Sequence, residues 1–129
     1  MVKSIHHFAV VTTDVERAAK FYTELLGFRE TGRLGAGGGT IVFVSLDGAK
    51  IELFGGGKPR DPQQPSLGSG AVGYTHLALS VDSVRDEAAR LKTAGVEFTM
   101  EPREVEPNFW IAFFKDPDGN PLELFQRPE

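Results

Sequence analysis

Cysteine is absent from all 129 residues. That removes disulfides, thiolate nucleophiles and Cys-ligated zinc or iron–sulfur centres at once, so any metal must be held by histidine and carboxylates. Long apolar runs are missing too, since nothing approaches the roughly eighteen residues that a spanning helix needs. The opening Met1-Val2-Lys3-Ser4-Ile5-His6-His7 carries no apolar stretch of a secretory signal. A cytoplasmic protein without a membrane partner is the expectation. Basic residues are outnumbered, fourteen Lys and Arg against eighteen Asp and Glu, for a net charge of −4. With no basic tract to neutralise phosphates, nucleic acid is not an expected partner. The remainder is ordinary for a folded protein. Hydrophobic residues make up 40% and charged ones 25%, enough for a core and too apolar for disorder. The length suits one domain, or two very small ones sharing a core.

An internal repeat organises the chain. Asp47-Gly48-Ala49-Lys50-Ile51-Glu52-Leu53-Phe54 and Asp118-Gly119-Asn120-Pro121-Leu122-Glu123-Leu124-Phe125 share the pattern D-G-x-x-(I/L)-E-L-F at an offset of 71. His7-Phe8-Ala9-Val10 and His76-Leu77-Ala78-Leu79 match at an offset of 69, and Gly27-Phe28 corresponds to Gly95-Val96. A duplication constrains the fold and the placement of a site together. The expectation is one domain over 1–129 built of two modules, 2–55 and 72–127, joined by a Gly-, Pro- and polar-rich linker over 56–71.

Each module reads as strand, helix, then three strands. The opening strands fall at about 4–11 and 73–81, and the helices at about 14–26 and 83–94. The first helix carries Thr13 and Glu16 in capping-box spacing and gathers Val15, Ala18, Tyr22, Leu25 and Leu26 on one face, with Gly27 closing it. The second begins near Asp82 or Ser83, presents Val84, Ala88 and Leu91, and stops at Gly95. The later strands are expected at about 28–34, 40–46 and 49–54, then 96–100, 109–115 and 121–126, with Asp-Gly turns before the last of each set. The fold class is therefore α+β, tandem βαβββ modules in which each four-stranded sheet buries one face under its helix.

Two histidines and two glutamates stand out on the uncovered faces. Side chains alternate along a strand, so His7, Ala9 and Val11 oppose His6, Phe8 and Val10, and His76, Ala78 and Ser80 oppose Leu77 and Leu79. By this parity His7 is a site residue and His6 is not. Glu52 and Glu123 each sit between aliphatic residues in the terminal strands. A carboxylate in a sheet core costs several kcal/mol unless paired or coordinated, and the same placement twice over implies a partner in both. If the duplicated sheets face one another about a pseudo-twofold axis, His7, Glu52, His76 and Glu123 converge. Two imidazoles and two carboxylates suit one divalent ion: Ni, Co, Zn, Mn or Fe. The stretch Gly35-Ala36-Gly37-Gly38-Gly39 lacks the Gly-Lys-Ser/Thr ending of a phosphate loop and reads as a hairpin tip. The segment Phe109, Trp110, Phe113 and Phe114 is read mostly as core, with one face lining the cavity, and the Glu101–Glu106 charge run as a solvated loop.

These features resemble the vicinal oxygen chelate superfamily, which contains glyoxalase I, methylmalonyl-CoA epimerase, extradiol dioxygenases, and fosfomycin- and bleomycin-resistance proteins. The resemblance covers nearly the whole chain. It rests on H-H-F-A-V-V-T-T-D at 6–14, F-Y-T-E-L-L-G-F at 21–28, I-E-L-F at 51–54, H-L-A-L-S-V-D at 76–82 and D-P-D-G-N-P-L-E-L-F at 116–125. It implies a cupped, incomplete eight-stranded barrel around a metal site. It places His7, Glu52, His76 and Glu123 on the four ligand positions of bacterial glyoxalase I, where methylmalonyl-CoA epimerases usually carry Gln at the second. The implied reaction is proton transfer next to a metal-chelated vicinal oxygen, turning the hemithioacetal of a 2-oxoaldehyde into a 2-hydroxyacyl thioester. Glu123 would be the base, with Glu52 as ligand or opposite-face partner. Phe54-Gly55-Gly56 stands where glyoxalase I has Thr, a variable residue and a glutathione-binding Asn, and no Arg lies near Ala9 or Val10. The chain thus looks closer to glyoxalase-like members of open substrate. The partner implied is a small oxygenated molecule or its thiol adduct, and the assembly a homodimer. Two other readings of the fold stay open: an Fe(II) extradiol-type dioxygenase, and a non-enzymatic small-ligand binding or resistance protein.

Overall fold

The structure, a computed structural model, describes residues 1–36 and 39–128. The hairpin tip expected at Gly35–Gly39 includes residues 37 and 38, which lie outside the described residues. The chain divides into two compact units, Met1–Pro59 and Arg60–Glu129. Each carries one βαβββ module, and among the described residues the strands lie in two four-stranded sheets, one in each unit.

In the first unit, strand β1 (Phe8–Val11) leads into helix α1 (Val15–Lys20), followed by β2 (Arg29–Ala36), β3 (Gly39–Leu46) and β4 (Ala49–Phe54), in the spatial order β1-β4-β3-β2. Strand β1 is shorter than the expected 4–11. Its parallel ladder with β4 begins at Phe8 beside Ile51, and residues 1–7 lie exposed ahead of it. The helix is capped by Asp14, whose carboxylate accepts from Arg17 N at 3.1 Å, rather than by Thr13. Thr13 instead accepts from the Arg17 guanidinium, while Thr12 Oγ1 takes the backbone N–H of Asp14 and folds the chain into the cap. After Lys20 the helix widens into a π-helical turn, Phe21–Leu25. The wider turn lets neighbouring residues face inward together, so Phe21 and Tyr22 are both buried alongside Ala18 and Ala19. Gly27 then ends it at φ 81°, a left-handed conformation that glycine adopts without a Cβ penalty.

The second unit repeats the plan with β5 (Leu77–Ser80), α2 (Val84–Thr93), β6 (Phe98–Glu106), β7 (Phe109–Lys115) and β8 (Pro121–Gln126), ordered β5-β8-β7-β6. Ser83 caps α2 by accepting from Asp86 N, and Val84, Ala88 and Leu91 form its buried stripe. The Gln126 side chain accepts from Val84 N at 2.9 Å, tying the end of β8 to the helix start. One expectation fails here. Residues 101–106 are not a loop but the outer half of β6, which pairs Arg103, Glu104 and Glu106 with β7. β6 is an edge strand, and its charges lie exposed from Arg103 to Glu106, where they cost nothing and discourage edge-to-edge association.

The covered faces hold the core. In the first sheet Val42, Val44, Ile51 and Leu53 are buried, and in the second Ala112, Phe114, Leu122 and Leu124. Each large aliphatic buried this way contributes about 1.5–3 kcal/mol. Strand alternation then fixes the opposite face: Glu52 beside Ala9 and Phe43 in one sheet, Glu123 beside Ala78 and Phe113 in the other.

Candidate functional site

Each unit builds the same His–carboxylate pair on the sheet face turned away from its helix. In the first unit His7 Nδ1 lies 3.1 Å from Glu52 Oε2, with side-chain exposures of 35% and 18%. In the second, His76 Nε2 lies 3.0 Å from Glu123 Oε1, with exposures of 19% and 12%. The alanine beside each glutamate on the parallel neighbour, Ala9 or Ala78, presents only a methyl group there. The structure therefore joins His7 to Glu52 and His76 to Glu123, all four of them residues the repeat singles out.

Hydrogen-bonding roles follow from the chemistry of the groups. An ionised carboxylate can only accept, so the ring nitrogen facing it carries the hydrogen. His76 is then protonated at Nε2, and its Nδ1 accepts from the Thr75 hydroxyl at 2.7 Å. Phe113, buried on β7, meets the His76 ring edge-on at a centroid distance of 5.0 Å and holds its plane. The aromatic segment splits as alternation demands: Phe113 against His76, Phe114 in the core beside Phe98, and Trp110 under the Arg85 guanidinium at 4.4 Å.

A third histidine joins the first pair. His6 Nδ1 lies 2.8 Å from His7 Nδ1. Parity assigned His6 to the other face, but parity holds only inside a strand. β1 starts at Phe8, so His6 and His7 precede it and their side chains are not forced apart. The adjacency of the two histidines was the available signal.

The loop ahead of β8 sets the register that turns Glu123 to this face. Asp116, 5% exposed, accepts from the backbone N–H of Asp118 and of Asn120 and from the Asn120 side-chain amide, each at 2.8–2.9 Å. The turn passes through Gly119 at φ 88°, as the Asp-Gly pair predicts.

The donor set fits a divalent ion. Imidazole nitrogen and carboxylate oxygen, half-buried and supplied in pairs, are the ligands that first-row divalent metals take when cysteine is absent.

A family model, described as the Glyoxalase/Bleomycin resistance protein/Dioxygenase superfamily, matches residues 4–124. The chain belongs to this superfamily. Among its relatives, the uncharacterised protein YwkD of Bacillus subtilis (strain 168) is 36% identical, over 98% of this chain and 99% of its own length. A probable lactoylglutathione lyase of Vibrio parahaemolyticus serotype O3:K6 is 32% identical, over 97% of this chain and 91% of its own. The crystal structure of SMU.1112c superposes with a TM-score of 0.79 at 28% identity, covering 97% of this chain and 99% of that one. Superfamily relatives with other activities include human mitochondrial methylmalonyl-CoA epimerase, 32% identical over 95% of this chain and 73% of its own, and the glutathione transferase FosA of Serratia marcescens, 29% identical over 96% and 81%. Among the described residues, no helix is long and apolar enough to cross a membrane.

Proposed function

We propose that this protein is a metal-dependent lyase or isomerase of the glyoxalase I type. It acts on a small oxygenated substrate, the hemithioacetal of a 2-oxoaldehyde and a thiol, and yields the 2-hydroxyacyl thioester. The observation that carries this reading is the His–carboxylate pair formed twice at equivalent positions, at 3.1 Å and 3.0 Å. A fold selected for stability alone gains more from apolar residues at these positions than from partly desolvated ion pairs. The similarity to a probable lactoylglutathione lyase supports the reaction class.

In this reading His7, Glu52, His76 and Glu123 would hold a divalent ion (Ni, Co, Zn, Mn or Fe), which would supply a Lewis acid for the substrate oxygens. Glu123 is the base. Free of the ion, its carboxylate would take the proton from the sulfur-bearing carbon and return it to the neighbouring carbon, while the hydroxyl hydrogen passes to the former carbonyl oxygen, so no net proton is consumed. Buried Leu122 and Leu124 flank it in sequence and Phe113 lies beside it on β7. Glu52 serves as ligand or as the carboxylate on the opposite face of the substrate. Phe113 and Thr75 keep the His76 ring in place. We infer a cytoplasmic homodimer, with one domain formed by the two modules, and light scattering should give twice the 14.1 kDa chain mass.

The test is thioester formation by metal-loaded, tag-free protein from hemithioacetals of glutathione and of smaller thiols. The reading requires turnover that disappears with chelator and returns with metal. No thioester from any thiol, with oxygen uptake on a catechol that survives Glu52→Ala, would move the protein to the dioxygenase branch of its superfamily.

A further inference from the structure

His6 belongs to no part of the four-ligand reading, yet it sits at the first pair. A ligand-type atom from each of His6, His7 and Glu52 lies within 4.8 Å of the other two. His7 Nδ1 is the centre of this group, 2.8 Å from His6 Nδ1 and 3.1 Å from Glu52 Oε2. Two Nδ1 atoms 2.8 Å apart cannot both point a hydrogen at each other, so at least one of them presents a lone pair. Two imidazole nitrogens and a carboxylate oxygen gathered this closely are donors of the type that first-row divalent cations take. The two separations at His7, 2.8 Å and 3.1 Å, match ligands at right angles, which stand about 3 Å apart when each is about 2.0–2.2 Å from a metal.

We propose that the first unit binds a first-row divalent ion by itself, through His6, His7 and Glu52, as a two-histidine, one-carboxylate set. His6 is then a ligand, and its exposure puts it where an ion arriving from solvent is first met. The set needs neither His76 nor Glu123, and because it shares His7 and Glu52 with the four-ligand reading, the two are alternative ligand sets for one ion, separated by removing His76 and Glu123. Imidazole donors favour Ni, Cu and Zn over Mg and Ca, and three protein ligands leave further positions for water or a chelating substrate.

The test uses full-length, tag-free protein carrying His76→Ala with Glu123→Gln, titrated with Ni(II) by calorimetry, and with Cu(II) for its spin-resonance spectrum. His76→Ala alone provides a second background if the double variant is unstable. The proposal predicts about one ion per chain in these backgrounds and coupling to two imidazole nitrogens. Adding His6→Ala should weaken binding about tenfold or more and leave one coupled nitrogen. His6 precedes β1 and is exposed, so the melting temperature should not move. No ion bound in either background, or an affinity and nitrogen count indifferent to His6→Ala, would overturn the proposal. The four-ligand reading fails separately, if removing His76 and Glu123 leaves metal affinity intact.

Discussion

His76 reaches Glu123 across 47 positions of sequence, Nε2 to Oε1 at 3.0 Å, because β5 and β8 run parallel with Ala78 beside Glu123. The first unit repeats the relationship with His7, Ala9 and Glu52. Phe43 and Phe113 occupy the same register position on the antiparallel neighbour of each glutamate. An imidazole, a methyl group, a carboxylate and a phenyl ring thus recur as a set, and several consequences can be measured.

Glu123→Gln keeps an oxygen acceptor for His76 and removes the base. In the thioester assay kcat should fall about 100-fold or more with little change in melting temperature. An unchanged kcat would remove Glu123 from the proton transfer.

Thr75 should act through His76. Its hydroxyl donates to Nδ1. If Nε2 gives up its hydrogen to a metal, Nδ1 must carry one and donate to Thr75 instead. Thr75→Val blocks that exchange and should weaken metal affinity about 10–100-fold, while Thr75→Ser restores it. Calorimetric titration of the two variants checks this.

Asp116→Ala leaves the N–H groups of Asp118 and Asn120 without their acceptor. The cost should be about 2–3 kcal/mol in denaturant unfolding. Metal binding should weaken as well, because the loop sets the register of β8.

Arg33 bridges two carboxylates on the first unit's surface, donating to Glu16 at 2.7 Å and Glu30 at 2.8 Å. Its hydrogen bonds hold both carboxyl groups below their ordinary value of 4.5. A depressed folded pKa means stabilisation that is complete above about pH 4.5 and is lost as pH falls through the depressed values. Arg33→Leu should therefore lower stability at neutral pH, by a small amount because all three groups are exposed. The gap from the parent should close as pH falls through these lowered values. Unfolding curves from neutral to acid pH would show it, and a gap constant with pH would contradict it.

The order of elements, the buried stripe of α2 and the four paired residues were legible in the sequence because each rests on local periodicity or on the repeat, whereas the π-helical turn after α1 buries Ala19 and Phe21 beside Ala18 and Tyr22 and leaves Val15, Leu25 and Leu26 half-buried. What escaped depended on where pairing starts and stops. Strand β1 begins at Phe8 because its partner β4 first pairs at Ile51, and no local pattern encodes a partner's register. The approach of His6 to His7 is not legible for that reason, since parity holds only inside a strand. Glu101–Glu106 read as a loop because its charges break the apolar signal, while an edge strand needs only backbone partners on one side. Asp14 displaced Thr13 as the cap because Thr12 turns the chain one residue further on.

The central claim is that these histidines and glutamates hold a metal. Elemental mass spectrometry of tag-free protein, stripped and then reloaded with Ni, Co, Zn, Mn or Fe, tests it most directly alongside Glu52→Ala, since Glu52 belongs to both metal readings. The account predicts about one ion per chain, lost or much weakened in the variant. Protein that takes up no metal under any loading condition, or that retains it fully without Glu52, would contradict it.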